Sequence, residues 1–332
     1  MFAIVVDKLT KNFNGLQAVD GVSFSVPAGE LFGLLGPNGA GKTTTINMLS
    51  TLLRPSSGRA EVAGFDVLRE RDAVRKSIGV VFQEPALDTK LTGRENLEFH
   101  AMMYGLSREM RRQRIAEVLR LVELEDKQDI LVENYSGGMK RRLEIARGLV
   151  HRPKVLFLDE PTLGLDAQTR RNIWDYIKKL NEESGVTIIL TTHYMEEADY
   201  LCQRVAIMDH GKFVALDTPS RLKDIVGGDV VTLEVDGTKE ALLGEFQEKT
   251  WVKTAVAHDS LLTLTMEKGE RRIPELIEIA RLKGARVTSV HLRKPSLEDV
   301  FLHFTGRMIR DNEASQAERN KAMRRGHFRR RR

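Results

Sequence analysis

The 332-residue chain has one cysteine, two tryptophans and nine prolines, and only 6% of its residues are aromatic. With Cys202 alone there is no internal disulfide to form, so the composition points to a reducing compartment; Cys202 is expected to pack as a small apolar residue at a helix end. Long apolar runs are also missing. Val80–Phe82 and Val155–Leu158 fall far short of the roughly 18 residues that a membrane-crossing helix needs. The opening MFAIVVDKLTKNF alternates like a strand and lacks the basic region, apolar core and cleavage site of an export leader. No heptad run or cysteine cluster occurs. What remains, at 41% hydrophobic and 30% charged, reads as globular and able to bury a sizeable core.

The net charge of +5 invites a polyanion partner until it is divided along the chain. Residues 307–332 hold ten Lys/Arg against three Asp/Glu, a net +7, which leaves −2 for the 306 residues before them. The body therefore has no basic excess with which to bind nucleic acid, and no nucleic-acid partner is expected. The 307–332 tail is expected to be disordered, either as a solvated extension or in contact with anionic lipid headgroups.

Short apolar runs separated by turn signals predict strands at Ala3–Val6, Val22–Val26, Leu31–Leu35 and Ala60–Ala63, with a helix over Lys42–Leu53. Helical patterning returns from Arg94 to about Glu123 and again from Ser136 to about His151. Strands then follow at Val155–Leu158, Thr187–Leu190 and Val205–Met208, with a helix over Ala167–Glu182. Strands alternating with helices predict a parallel α/β sheet, into which the block from about 90 to 150 is inserted as a helical subdomain. A boundary is expected near Gly227-Gly228. Beyond it, at 229–306, a small α+β domain of ferredoxin-like kind is read, with strands at Val230–Val235, Leu261–Met266 and Arg286–His291 and helices at Glu240–Gln247 and Pro274–Lys283.

The most specific signal is Gly36-Pro37-Asn38-Gly39-Ala40-Gly41-Lys42-Thr43, followed by Thr44, lying between a predicted strand and a predicted helix. Glycines at this spacing let the backbone aim several N–H groups at one phosphate chain, and the helix N-terminus adds its dipole. In this P-loop reading Lys42 neutralises the β- and γ-phosphates of a nucleotide and the Thr43 hydroxyl coordinates Mg²⁺. A second half for such a site is present at Val155–Leu158, four apolar residues followed by Asp159 and Glu160. Two acids at a strand end are, read alone, an ordinary solvated terminus. Beside a phosphate loop, Asp159 fits a water-mediated Mg²⁺ ligand and Glu160 the group that orients or deprotonates the attacking water.

At Tyr135-Ser136-Gly137-Gly138-Met139 the chain resembles the signature motif of the ATP-binding cassette (ABC) ATPases, and further stations follow in that family's order: Gln83 after Val81-Phe82, Leu165-Asp166, and His193. The resemblance spans about residues 2–226, expected as a nucleotide-binding domain over 1–226. It implies ATP and Mg²⁺ as cofactors and a head-to-tail pairing of two cassettes, in which Ser136, Gly137 and Gly138 of one close over ATP on the P-loop of the other. A single P-loop and a single SGG then imply a homodimer or pairing with a paralogous cassette. The resemblance further implies that Gln83 contacts Mg²⁺, that His193 hydrogen-bonds the γ-phosphate, and that Asp166 connects the two sites. Phe13 matches the aromatic on which adenine stacks, the alternative being a packed loop residue. Met139 departs from the usual glutamine and puts any polar contact there in doubt.

With Thr92-Gly93-Arg94-Glu95-Asn96-Leu97, Thr191–Ala198 and Pro295–Gly306 (PSLEDVFLHFTG), the sequence is similar to the daunorubicin-resistance type, ATP-binding subunits of ABC-2 exporters. That resemblance implies ATP hydrolysis coupled to a separate transmembrane permease, and a peripheral place on the cytoplasmic face of the membrane. The competing reading is a soluble, non-transport ABC ATPase acting on nucleic acid or ribosomes. Against it, only 52 positions separate Gln83 from Tyr135, leaving no room for a long coiled-coil or zinc insertion.

Overall fold

A computed structural model describes residues 1–236, 239–258 and 261–306. The described residues fall into two compact units, one spanning Met1–Thr218 and the other beginning at Pro219. The basic segment 307–332, with the expectations of disorder and lipid contact attached to it, lies outside the described residues. Among the described residues, no helix is long and apolar enough to cross a membrane.

The first unit is built on two sheets. The strands Phe2–Phe13, Leu16–Pro27, Ser57–Val62 and Phe65–Asp66 form an antiparallel sheet, with the first strand between the second and third. A six-stranded sheet runs in the spatial order Lys212–Asp217, Arg204–Asp209, Leu31–Leu35, Thr187–Thr192, Val155–Asp159, Ile78–Val81. It is parallel except at the Lys212 edge. Leu31–Leu35 and Val155–Asp159 are buried on both faces, which is why they read as unbroken apolar runs rather than alternating ones. Apolar residues from both sheets enclose Ile46, Met48 and Leu49, so the helix Lys42–Leu49 is wedged into one core. Phe24 and Phe32 stack across that core with ring centroids 5.4 Å apart.

Between the strands Ile78–Val81 and Val155–Asp159 stand the helices Gly93–Met103, Arg108–Leu121 and Gly137–Leu149. The helical span predicted from Arg94 to Glu123 is thus two helices. Gly105 adopts φ +69°, stopping the first, and the Ser107 hydroxyl caps the second by accepting from Met110 N. Cys202 is buried just after the helix Met195–Leu201, its sulfur so close to Gly33 that a Cβ added there would lie 2.6 Å from it. The small apolar packing expected of it is what the fold uses.

In the second unit the strands Asp229–Asp236, Val252–His258, Leu261–Met266 and Arg286–Arg293 form an antiparallel sheet. The helices Lys239–Gln247 and Gly269–Leu282 supply Leu242, Phe246, Leu276 and Ala280 to its core. The element order strand–helix–strand–strand–helix–strand is the ferredoxin-like split arrangement. Two details differ from expectation. Val252–His258 is a strand, and the second helix begins five residues before Pro274, which it holds internally. A final helix, Leu297–Thr305, opens on a reciprocal cap between Ser296 and Asp299.

Candidate functional site

The loop 36–41 turns the central strand Leu31–Leu35 into the helix Lys42–Leu49 with no room for side chains. A Cβ on Gly36 would lie 2.1 Å from Met208 O, and one on Gly41, at φ +108°, would lie 2.4 Å from Ala18 O. Gly36, Pro37 and Ala40 are buried, whereas Asn38 and Gly39 are exposed at the tip. Thr44 is half-buried in the first turn.

Lys42 leads that helix and is 4% exposed. Its Nζ donates to Gly36 O at 2.7 Å and Pro37 O at 3.1 Å, and lies 3.4 Å from Glu160 Oε1. The ammonium is thus held inside the loop it follows. Thr43 Oγ1, one residue on, donates to Asp159 Oδ1 at 3.0 Å. The same oxygen accepts from Thr191 Oγ1 at 2.5 Å. Burial pushes the Asp159 carboxyl above its usual range, and the two threonine hydroxyls offset only part of that.

Glu160 stands one residue past the strand at φ +46°, a left-handed backbone that a side-chain-bearing residue rarely adopts. Its N–H is shared between Thr191 O and Thr191 Oγ1. Oε2 accepts from His193 Nδ1 at 3.1 Å. Burial raises the Glu160 pKa, but the His193 hydrogen bond and the Lys42 charge outweigh it and hold the carboxyl below the usual range. Lys42, Thr43, Asp159, Glu160 and His193 therefore meet at the C-terminal ends of three adjacent parallel strands, the crevice where open α/β sheets bind ligands.

Other residues singled out from the sequence stand in different surroundings. Phe13 is 43% exposed at the end of its strand, with Lys11 Nζ 4.9 Å from the ring centroid. Gln83 is exposed in the segment after Ile78–Val81. Ser136 is the exposed N-cap of Gly137–Leu149, its hydroxyl accepting from Met139 N at 3.2 Å. Asp166 caps Ala167–Ser184 by accepting from Thr169 N at 2.9 Å, and its carboxyl is lowered chiefly by that threonine. These two helix N-termini are neighbours, since a Cβ on Gly138 would lie 2.7 Å from Thr169 Cγ2 and one on Gly137 3.3 Å from Leu165. Tyr135 does not share the exposure of Ser136. Its side chain is buried and its hydroxyl donates to Lys127 O at 2.7 Å, so it offers the ligand face no polar atom.

Two residues of consequence escaped the sequence reading. Arg141 and Glu144 form a buried ion pair at 2.9 Å, with side chains 8% and 2% exposed. Arg141 sits inside the run Lys140-Arg141-Arg142, and the carbonyls it binds are 18 to 59 residues away in sequence.

Comparison with known proteins agrees with this geometry. The sequence model of the ABC transporter family matches residues 19–163, and that of the C-terminal domain of DrrA1-3-like ATP-binding proteins matches 218–305. The linearmycin resistance ATP-binding protein LnrL of Bacillus subtilis is 40% identical over 92% of this chain and 99% of its own. The chain belongs to the ABC transporter ATP-binding proteins. The daunorubicin resistance ATP-binding protein DrrA2 of Streptomyces coeruleorubidus is 41% identical over 95% of this chain and 99% of its own. The Nod factor export ATP-binding protein I of Paraburkholderia xenovorans is 40% identical over 93% and 99%. Among solved structures, cbiO1 of Clostridium perfringens superposes with a TM-score of 0.63 at 31% identity, over 68% of this chain and 93% of that one. The cassette MJ0796, in a dimeric post-hydrolysis state with ADP and Pi, gives 0.58 at 30% identity over 65% and 98%. This ABC ATPase thus carries the P-loop NTPase fold expected from its sequence, with a DrrA-like domain after it.

Proposed function

We propose that this ABC ATPase is the ATP-hydrolysing subunit of an exporter for amphipathic cargo, working as a head-to-tail pair of cassettes on a separate transmembrane permease at the cytoplasmic face of the membrane. The observation that carries the reading is the convergence of Lys42, Thr43, Asp159, Glu160 and His193 at the strand ends, together with full-length similarity to antibiotic-resistance and Nod-factor-export ATP-binding proteins.

In this reading the loop N–H groups of 36–44 cradle the phosphates, and Lys42 exchanges its bonds to Gly36 O and Pro37 O for phosphate oxygens. Thr43 and Asp159, two hard oxygen donors already 3.0 Å apart, suit Mg²⁺, with Gln83 as a further ligand. Among the described residues no group of three or more His, Cys, Asp or Glu can hold a metal. That fits an ion that relies on substrate phosphates for the rest of its shell. Mg²⁺, when bound with ATP, neutralises charge developing on the transferred phosphoryl group. Glu160, kept ionised by His193 and Lys42, orients and deprotonates the attacking water, and His193 contacts the γ-phosphate. Phe13 stacks the adenine.

Ser136, Gly137 and Gly138 stand beside the start of the helix that Asp166 caps. In this reading they meet the γ-phosphate on the partner cassette, whether that is a second copy or a paralogue. A cavity of about 540 Å³ lined by Leu52, Phe82, Ala86, Phe99, Met103 and Tyr104 presents an apolar groove next to Gln83. In this reading it receives a cytoplasmic helix of the permease. The domain limits that go with this reading are 1–226 for the cassette and 229–306 for the accessory domain.

The deciding measurement is oligomeric mass and ATP turnover for wild type and Glu160→Gln, with and without Mg-ATP. The reading expects an ATP-dependent dimer in the variant, with turnover abolished. A variant that stays monomeric alone and with its permease would remove the paired-cassette reading.

A further inference from the structure

Arg141 has four partners, three of them backbone carbonyls that lie next to a residue of the hydrolytic site. Nε donates to Pro161 O at 2.7 Å and Nη2 to Asp159 O at 3.1 Å, the peptide carbonyls on either side of Glu160. Nη1 donates to Phe82 O at 2.7 Å, just before Gln83, and also pairs with Glu144 Oε2 at 2.9 Å. Glu144 in turn accepts from Ala86 N at 2.8 Å through its other oxygen. One turn further along the same helix, Arg147 Nη1 donates to Ala86 O at 2.6 Å. One face of Gly137–Leu149 therefore grips both ends of the segment 82–86 and both flanks of Glu160.

We infer that Arg141, fixed by Glu144, is the positioning residue for hydrolysis: it sets the backbone of Glu160 and ties it to the Gln83 segment and to the helix that begins at Ser136. The inference rests on the role proposed for Glu160. Two physical arguments support it. First, Glu160 at φ +46° persists only where its surroundings over-determine it, and a planar guanidinium bound to the carbonyls before and after it does that. Second, a buried charge pair is costly unless every donor and acceptor is used, and here the bonds are spent on chain segments rather than on packing alone. The consequence is mechanical. A displacement of the Ser136 helix, or of segment 82–86 at the groove, cannot leave the peptide of Glu160 in place while these bonds hold.

The test uses the full-length chain with Mg-ATP and expresses turnover per bound nucleotide, so that unfolded protein does not count. Arg141→Lys keeps the charge but loses the planar fork. It is expected to lower kcat at least tenfold while KM for ATP stays within threefold, and Glu144→Gln to lower kcat three- to tenfold with the same unchanged KM. Either variant suffices if the other fails to fold. Added to Glu160→Gln, Arg141→Lys is expected to change the residual turnover by less than twofold, because the group it positions is already gone. A kcat per bound nucleotide within twofold of wild type overturns the proposal, as does a further tenfold loss in the Glu160→Gln background. Wild-type turnover in Glu160→Gln alone would remove the reading of the site, and the proposal with it.

Discussion

Glu160 Oε2 and His193 Nδ1 stand 3.1 Å apart, and the opposite oxygen of the same carboxylate is 3.4 Å from the ammonium of Lys42. A buried carboxylate would by itself resist ionisation, yet these two neighbours reverse that tendency, and Glu160 is charged at neutral pH. A general base must be in that state before substrate arrives. On the proposed role of Glu160 as general base, Glu160→Gln keeps the shape and removes that base, so kcat is expected to fall by about 10²–10³-fold with ATP binding retained, in line with the usual worth of general base catalysis. Single-turnover hydrolysis and equilibrium binding on the same protein separate the two effects.

Lys42→Ala addresses binding rather than chemistry. The substitution removes the one buried cation of the loop and leaves Gly36 O, Pro37 O and Glu160 Oε1 without it. Charge-assisted bonds to phosphate are worth about 1.5–3 kcal/mol, so ATP affinity should drop by roughly ten- to a hundredfold. Titration with a nucleotide analogue at fixed salt checks this; wild-type affinity would show that Lys42 is not a phosphate ligand.

Glycines in the chain differ sharply in what a methyl group would meet. At Gly41 it would strike Ala18 O at 2.4 Å with φ at +108°, whereas at Gly164, φ +76°, there is nothing within 4 Å. Gly164→Ala therefore carries only the left-handed backbone penalty, about 1 kcal/mol. Gly41→Ala adds a backbone clash that must reshape the loop, so it should cost about 2 kcal/mol or more and weaken ATP binding as well. Thermal melts of both variants, with and without nucleotide, distinguish the two.

Much of the site was legible because its parts are contiguous in sequence. The phosphate loop is one unbroken segment, and Asp159-Glu160 directly follow the strand that carries them, so each could be read locally once the loop gave the acid pair its meaning. Features that depend on distant partners were not legible. Arg141 acts through carbonyls contributed by three other stretches of chain, and nothing in Lys140-Arg141-Arg142 marks the middle residue as buried. Tyr135 misled by proximity, since its neighbour Ser136 faces outward while its own ring turns inward. The break at Gly105 was signalled by a glycine followed by a serine cap, but the apolar spacing on both sides hid it. The strand Val252–His258 alternates too weakly to stand out, and its pairing with Leu261–Met266 is what defines it.

The helical block also contains a built-in acid sensitivity. Tyr104 stacks on His151 with ring centroids 3.7 Å apart, His100 packs against Tyr104 at a tilt of 54°, and His151 Nε2 lies 2.8 Å from Ile78 O. Burial lowers the pKa of both histidines from 6.5 to about 4, with the nearby Arg147 adding to the effect at His100. The unfolded chain takes up these protons as pH falls through 6.5, while the folded chain refuses them until about 4. The stability they lend is therefore complete above the unfolded value and is lost progressively as pH drops towards the folded one. Partial exposure of both rings trims the effect to about 1 kcal/mol each between pH 7.5 and 5. Melting curves at those two values should show a drop for wild type. His100→Gln with His151→Gln, which cannot titrate, should remove most of that drop. An equal drop in the double variant would place the acid sensitivity elsewhere, and Asp159, whose carboxyl is already raised by burial, cannot supply it, because gaining a proton there favours the folded state.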